Sequence, residues 1–256
     1  MWLTLVPVLG ALRRLYDMPR NTARFDAYTG LVRLGEADAF TPLADFDPMA
    51  PEYMGEALDT LLAVDAEREA VEALRQIGPR LRGLPAEWGE ELRVMLMLSD
   101  DAGDMWARRP MTELNMRVSQ RGLLAQHWVS PRFWSSDTPT TSDVRATTLA
   151  AVYRALYQIS YGPSKTVAGL LQQERRTVAF AGTGESLPPE EEAALRTAVT
   201  PYLASTDEGT QIAVLFGDRI AVALGYGARG IPERGGLRLA ASEALRERDP
   251  IASLFD

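Results

Sequence analysis

Residues 92–104 read LRVMLMLSDDAGD, and the fold turns on how this run is taken. Leu92 to Leu98 is short and nearly all apolar, and it stops at a group of acids around a glycine. Its Leu and Met content permits a helix. The length and the abrupt stop favour a buried strand that runs straight into a loop. After Pro110, TELNMRVSQRG (112–122) predicts a short helix with Gly122 as its terminator, and LLAQHWV (123–129) predicts a second strand. Strand, loop, helix and strand make a compact βαβ unit. Ligand sites in such units gather at the carboxyl ends of the strands.

Working outward, helical periodicity takes over. Phe25, Tyr28, Leu31 and Leu34 recur at helical spacing, as do Met54, Leu58, Leu61 and Leu62, and again Leu149, Val152, Tyr153 and Leu156. PPEEEAALRTAV (188–199) predicts a helix whose first-turn acids Glu190, Glu191 and Glu192 suit the helix dipole. SPRFWSSDTPTTSD (130–143) is rich in Ser, Thr and Pro and reads as a linker or surface loop. QIAVLFGDRIAVALGYG (211–227) reads either as an antiparallel hairpin or as two short helices. The expected architecture is therefore mainly α, with a small βαβ unit at the centre. It is expected as a single compact domain over 1–256, with a weaker subdivision at 130–142.

The first residues, MWLTLVPVLGALRR, are apolar with positive charge after the run instead of before it. That order fits a secretory signal poorly, and about twelve residues are too few to span a bilayer as a helix. No transmembrane segment is expected, and the chain is taken as cytoplasmic. Residues 1–12 are expected to form a helix. Its apolar face either packs into the core or docks a partner, which is a protein chain, including a second copy in a homo-oligomer, or a membrane surface.

Composition narrows the chemistry. Lys plus Arg is 27 against 35 for Asp plus Glu, a formal net charge of −8, which argues against nucleic-acid binding. The chain has no cysteine and one histidine, His127, so disulfides, thiolate zinc sites and His-rich metal sites are excluded. No cofactor is predicted. A metal, if used, would be a hard cation such as Mg²⁺, Mn²⁺ or Ca²⁺ held by oxygen ligands.

Two motifs suggest nucleotides and fail on context. Gly225, Gly227 and Gly230 spell G-x-G-x-x-G after an apolar run, but Pro232 follows where a phosphate-binding helix should begin. Too little chain remains after it for the rest of a dinucleotide fold, so the glycines read as a turn. In YGPSKT (161–166) Lys165-Thr166 resembles the tail of a phosphate loop. Ser164 and Ile159 stand where its glycines must be, so the better reading is a helix break with a Ser164 cap. His127 is expected within a strand as a packing residue. No G-x-S-x-G elbow accompanies it, which argues against a serine hydrolase.

The strongest constellation is SDDAGDMWARR (99–109), where Asp100, Asp101 and Asp104 crowd around Gly103 and Trp106, Arg108 and Arg109 follow. Close carboxylates can hold a divalent cation or keep one group protonated as an acid. Arginines beside an indole can instead grip an anionic ligand. The same loop also has a plain structural reading, as a turn capped by its own aspartates. A second loop, ADFDPMAPEY (44–53), places Asp47 as a capping or turn residue before a helix, while its Phe46, Met49 and Tyr53 could equally line a pocket. Two functions follow. One is a binding or interaction protein without cofactor chemistry of its own. The other is an enzyme using Asp100 and Asp101 catalytically, with Asp104, Trp106, Arg108 and Arg109 binding a small anionic substrate.

Overall fold

A computed structural model describes residues 2–32, 42–84, 91–103 and 109–254. Helices dominate, with a small set of parallel strands, as the sequence predicts. The chain divides into two compact units, Met1–Arg108 with Arg121–Val152, and Arg109–Gln120 with Tyr153–Asp256.

In the first unit, strand β1 (Trp2–Leu5) is followed by helices α1 (Leu9–Leu15), α2 (Thr22–Val32), α3 (Tyr53–Ala63) and α4 (Ala66–Leu81). The apolar run then gives β2 (Glu91–Val94) and β3 (Met97–Ser99), broken at Met95 and Leu96. A short helix α6 (Arg121–Ala125) leads to β4 (Trp128–Val129) and β5 (Arg132–Trp134). The order β1-β2-β4 is all parallel, with Leu5 opposite Val94 and Val94 opposite Val129. β3 pairs parallel with β5, with Ser99 opposite Trp134, and the Met95 amide bridges the break by donating to Val129 O at 3.0 Å. Leu92 and all of Val94 to Leu98 are buried, the two-sided burial expected of parallel strands. Leu9, Leu12 and Leu15 of α1, Leu58 and Leu61 of α3 and Leu96 to Leu98 share one apolar core.

Four expectations for this unit change. Residues 1–12 are not one helix: Trp2–Leu5 is a strand and only Leu9 onward is helical. Pro7 gives the reason, because the residue before a proline is driven to extended backbone, and the Val6 amide donates to Val94 O at 2.8 Å. The run 123–129 is strand only at Trp128 and Val129, since Leu123 to Ala125 close a helical turn. His127 sits in the left-handed region with φ 58, exposed, at the turn into β4. The Ser/Thr/Pro-rich stretch 130–143 contains β5 and the start of the next helix, so it is not a free linker. Asp47 behaves as expected and accepts from the Met49 amide at 2.8 Å.

The second unit holds α5 (Arg109–Val118), the later turns of α7 (Thr141–Tyr161), α8 (Val167–Ala181) and α9 (Pro189–Val199). It ends with α10 (Glu208–Phe216), α11 (Asp218–Ala223) and α12 (Gly235–Ala244). Residues 211–227 are thus two short helices broken at Gly217. Thr166, not Ser164, caps α8: its side chain accepts from the Gly169 amide at 3.1 Å. Among the described residues no helix is long and apolar enough to cross a membrane.

Candidate functional site

The parallel pairing of β3 with β5 brings their carboxyl ends together. Asp100 and Asp101 follow β3, and Ser135 and Ser136 follow β5. This is the expected place for a ligand site, and its geometry is specific. Asp100 is buried at 6 % exposure. Its Oδ1 accepts from the amides of Ala102 and Gly103 and from Ser135 Oγ, each at 3.0 Å. Its Oδ2 accepts from Tyr53 Oη at 2.6 Å. Burial, then the bond to Asp100, pushes the Tyr53 phenol up to about 12, so Tyr53 stays a donor. A Cβ on Gly103 would lie 2.6 Å from Asp100 Oδ2 and 2.9 Å from Tyr53 Oη, which explains the glycine there.

Asp101 turns to the other strand. Its Oδ1 accepts from the Ser136 amide at 3.0 Å and Ser135 Oγ at 3.2 Å, and its Oδ2 from Ser136 Oγ at 2.7 Å. Nearby, Arg132 of β5 donates to Ser99 Oγ at 2.6 Å and to Asp45 Oδ2 at 2.8 Å. Both aspartates therefore have their oxygens occupied by donors of the protein itself. Among the described residues, no group of three or more His, Asp or Glu is placed to hold a metal ion. Ser135, Ser136 and Arg132 complete this cluster and escaped sequence reasoning, because only the β3–β5 register brings them to the aspartates; Tyr53, expected as a possible pocket-lining residue, joins them from the start of α3.

Of the remaining residues proposed from sequence, Asp104, Trp106 and Arg108 lie outside the described residues. Arg109 begins α5 in the second unit and pairs with Glu113 at 3.0 Å. It opens a chain of charges: Glu113 to Arg117 at 3.2 Å, Arg117 to Glu174 at 3.0 Å, and Glu174 to Arg154 at 2.7 Å. Glu174 is buried, and burial alone would raise its pKa. Arg117 and Arg154 outweigh that and hold the carboxyl well below the usual range. Gln173 and Gln158 satisfy neighbouring carbonyls, with Gln173 Nε2 donating to Arg117 O at 2.9 Å and Gln158 Nε2 to the same oxygen at 3.0 Å.

The glycine loop is a closed turn. Gly225 and Gly230 adopt φ 88 and 78, and Asp218 accepts from the amides of Arg229 at 2.8 Å and Gly230 at 2.7 Å. A carboxylate of the chain occupies the amides that a phosphate would need.

One open concavity lies in the first unit, between β1 and α4. A recess of about 590 Å³ is lined by Trp2, Leu3 and Leu5 from the strand and by Val71, Leu74 and Pro79 from the helix. Trp2 is 72 % exposed and Val71 47 %. β1 is the edge of its sheet, and its register with β2 uses one side only. With the Val6 amide turned to β2, alternation points the amides and carbonyls of Leu3 and Leu5 to the free edge. Among the described residues nothing pairs with that edge.

Taken together, the geometry defines a mainly helical protein with a small parallel sheet and a free strand edge beside an apolar recess. No protein-family model matches the chain, and no curated protein or solved structure matches it either.

Proposed function

We propose that the chain is a binding protein whose first unit takes an extended polypeptide segment as an added strand along β1. The observation that carries this reading is the recess itself. It sets unpaired strand amides and carbonyls beside exposed Trp2 and Val71. Strand addition draws affinity from main-chain hydrogen bonds and specificity from side-chain pockets, parts that the β1 edge and the recess would supply. The Asp100–Asp101 loop supports the same reading from the other side. Its carboxylates are engaged by Tyr53, Ser135, Ser136 and loop amides, so the loop serves as scaffold at the strand ends.

The test is a pool of octapeptides carrying Val, Ile, Leu or Phe at alternate positions, selected on the full chain. Selected peptides are expected to bind the wild type and to lose most of their affinity for Val71→Asp, an exposed change that leaves the thermal midpoint unmoved. A pool that yields no binder, or binders indifferent to Val71→Asp, contradicts the proposal.

A further inference from the structure

Resting on that reading, we infer that the β1–α4 recess recognises a peptide carboxyl terminus, bound antiparallel to β1 with its terminal carboxylate at Arg82. The direction follows from how α4 lies on the strand. Near its start, Glu67 Oε1 accepts from the amides of Val8 at 2.5 Å and Leu9 at 2.9 Å, just past the carboxyl end of β1. Arg82 stands fifteen residues after Glu67, about 22 Å along a helix at roughly 1.5 Å per residue. From Val8 back to Trp2 is six residues, strand over Trp2–Leu5, a span of at most about 20 Å at roughly 3.3 Å each. The two lengths match, so the carboxyl end of α4 comes level with the amino end of β1. That agrees with Trp2, Pro79 and Arg82 lining one recess.

Charge then distinguishes the two ends. Arg75 also lines the recess but is held by Glu72, with bonds of 2.9 and 2.8 Å. Arg82 is exposed and, among the described residues, has no acidic partner. The recess therefore has an apolar trough closed at one end by an uncommitted guanidinium, whose planar fork suits a carboxylate. A peptide antiparallel to β1 brings its last residue to that end. A parallel peptide would bring its amino terminus there instead, ammonium against guanidinium.

The experiment uses the tightest selected octapeptide, made as the free acid and as the C-terminal amide, titrated against the full chain and against Arg82→Gln. A nitroxide on the peptide's amino end reports direction. On the wild type the acid is expected to bind about three- to fivefold more tightly than the amide, the size of one exposed ion pair, and the difference should shrink at high salt. On Arg82→Gln the two forms should bind equally. The nitroxide should broaden the amides of Leu5 and Val6 more than that of Trp2. Equal binding of acid and amide to the wild type, or broadening strongest at Trp2, overturns this inference while strand addition stands. Failure of both forms to bind overturns strand addition as well.

Discussion

Tyr53 Oη donates to Asp100 Oδ2 at 2.6 Å and so ties the first turn of α3 to the carboxyl end of β3. Asp100 is the hub of this corner, since its other oxygen holds the amides of Ala102 and Gly103 and the Ser135 hydroxyl. Asp100→Ala would strand the Ala102 and Gly103 amides and the Tyr53 hydroxyl, while Ser135 keeps Asp101, and is expected to cost about 2–4 kcal/mol in urea unfolding. Tyr53→Phe removes one hydroxyl and should cost about 1 kcal/mol. Gly103→Ala pushes a methyl group into the same pair and should cost about 1–3 kcal/mol. If Asp100→Ala unfolds like the wild type, the scaffold role of this loop is wrong.

Glu174 contributes to the acid sensitivity of the second unit. Its folded pKa is held below the unfolded value, so the stabilisation is complete above about pH 4.5 and drains away as pH falls through the folded value. Far-ultraviolet dichroism should show helix loss in acid for the wild type. Glu174→Ala takes their shared carboxylate from buried Arg117 and half-buried Arg154, at a cost of about 3–5 kcal/mol at neutral pH. The variant should also lose much of the acid dependence. A wild-type acid profile in the variant would contradict this account.

The glycine loop makes a different prediction. Asp218→Ala frees the amides of Arg229 and Gly230. The loop lies near the surface, so the loss should be about 1–2 kcal/mol. Hydrogen exchange at those two amides should rise well beyond the global change. Unchanged protection would show that Asp218 does not hold the turn.

Divalent cations should leave the wild-type thermal midpoint in place, because the oxygens of Asp100 and Asp101 already have donors. A rise of several degrees in about 10 mM Mg²⁺, Mn²⁺ or Ca²⁺ would mean preferential binding to the folded state. That outcome would support the metal-dependent enzyme reading of the loop.

The helical bulk of the fold was legible because amphipathic spacing is local. Leu58 and Leu61, expected on one face, are both buried in the first core. The run 92–98 was legible as strand for the same reason, through its length and its acid-glycine stop. β1 was not, because Trp2 to Leu5 become a strand only by pairing with Glu91 to Val94, almost ninety residues away. His127 and the short β4 depend equally on a distant partner. The aspartate loop was found by its density of acids, yet its role hangs on Ser135, which carries no signal at its own position, and on Tyr53, whose aromatic loop gave no sign that it would meet Asp100. The recess was invisible for a further reason. The N-terminal apolar run reads as a helix in the sequence, and only its pairing as β1 with β2 leaves a strand edge beside α4.

The central claim is that a peptide adds to the free edge of β1. Amide shifts of the full chain, titrated with a selected octapeptide, measure this directly. The account predicts that the largest changes fall on Leu3, Leu5 and Val6 and along Val71 to Arg82, with exchange protection appearing at Leu3 and Leu5. Changes centred elsewhere, with the β1 amides unmoved, would contradict it.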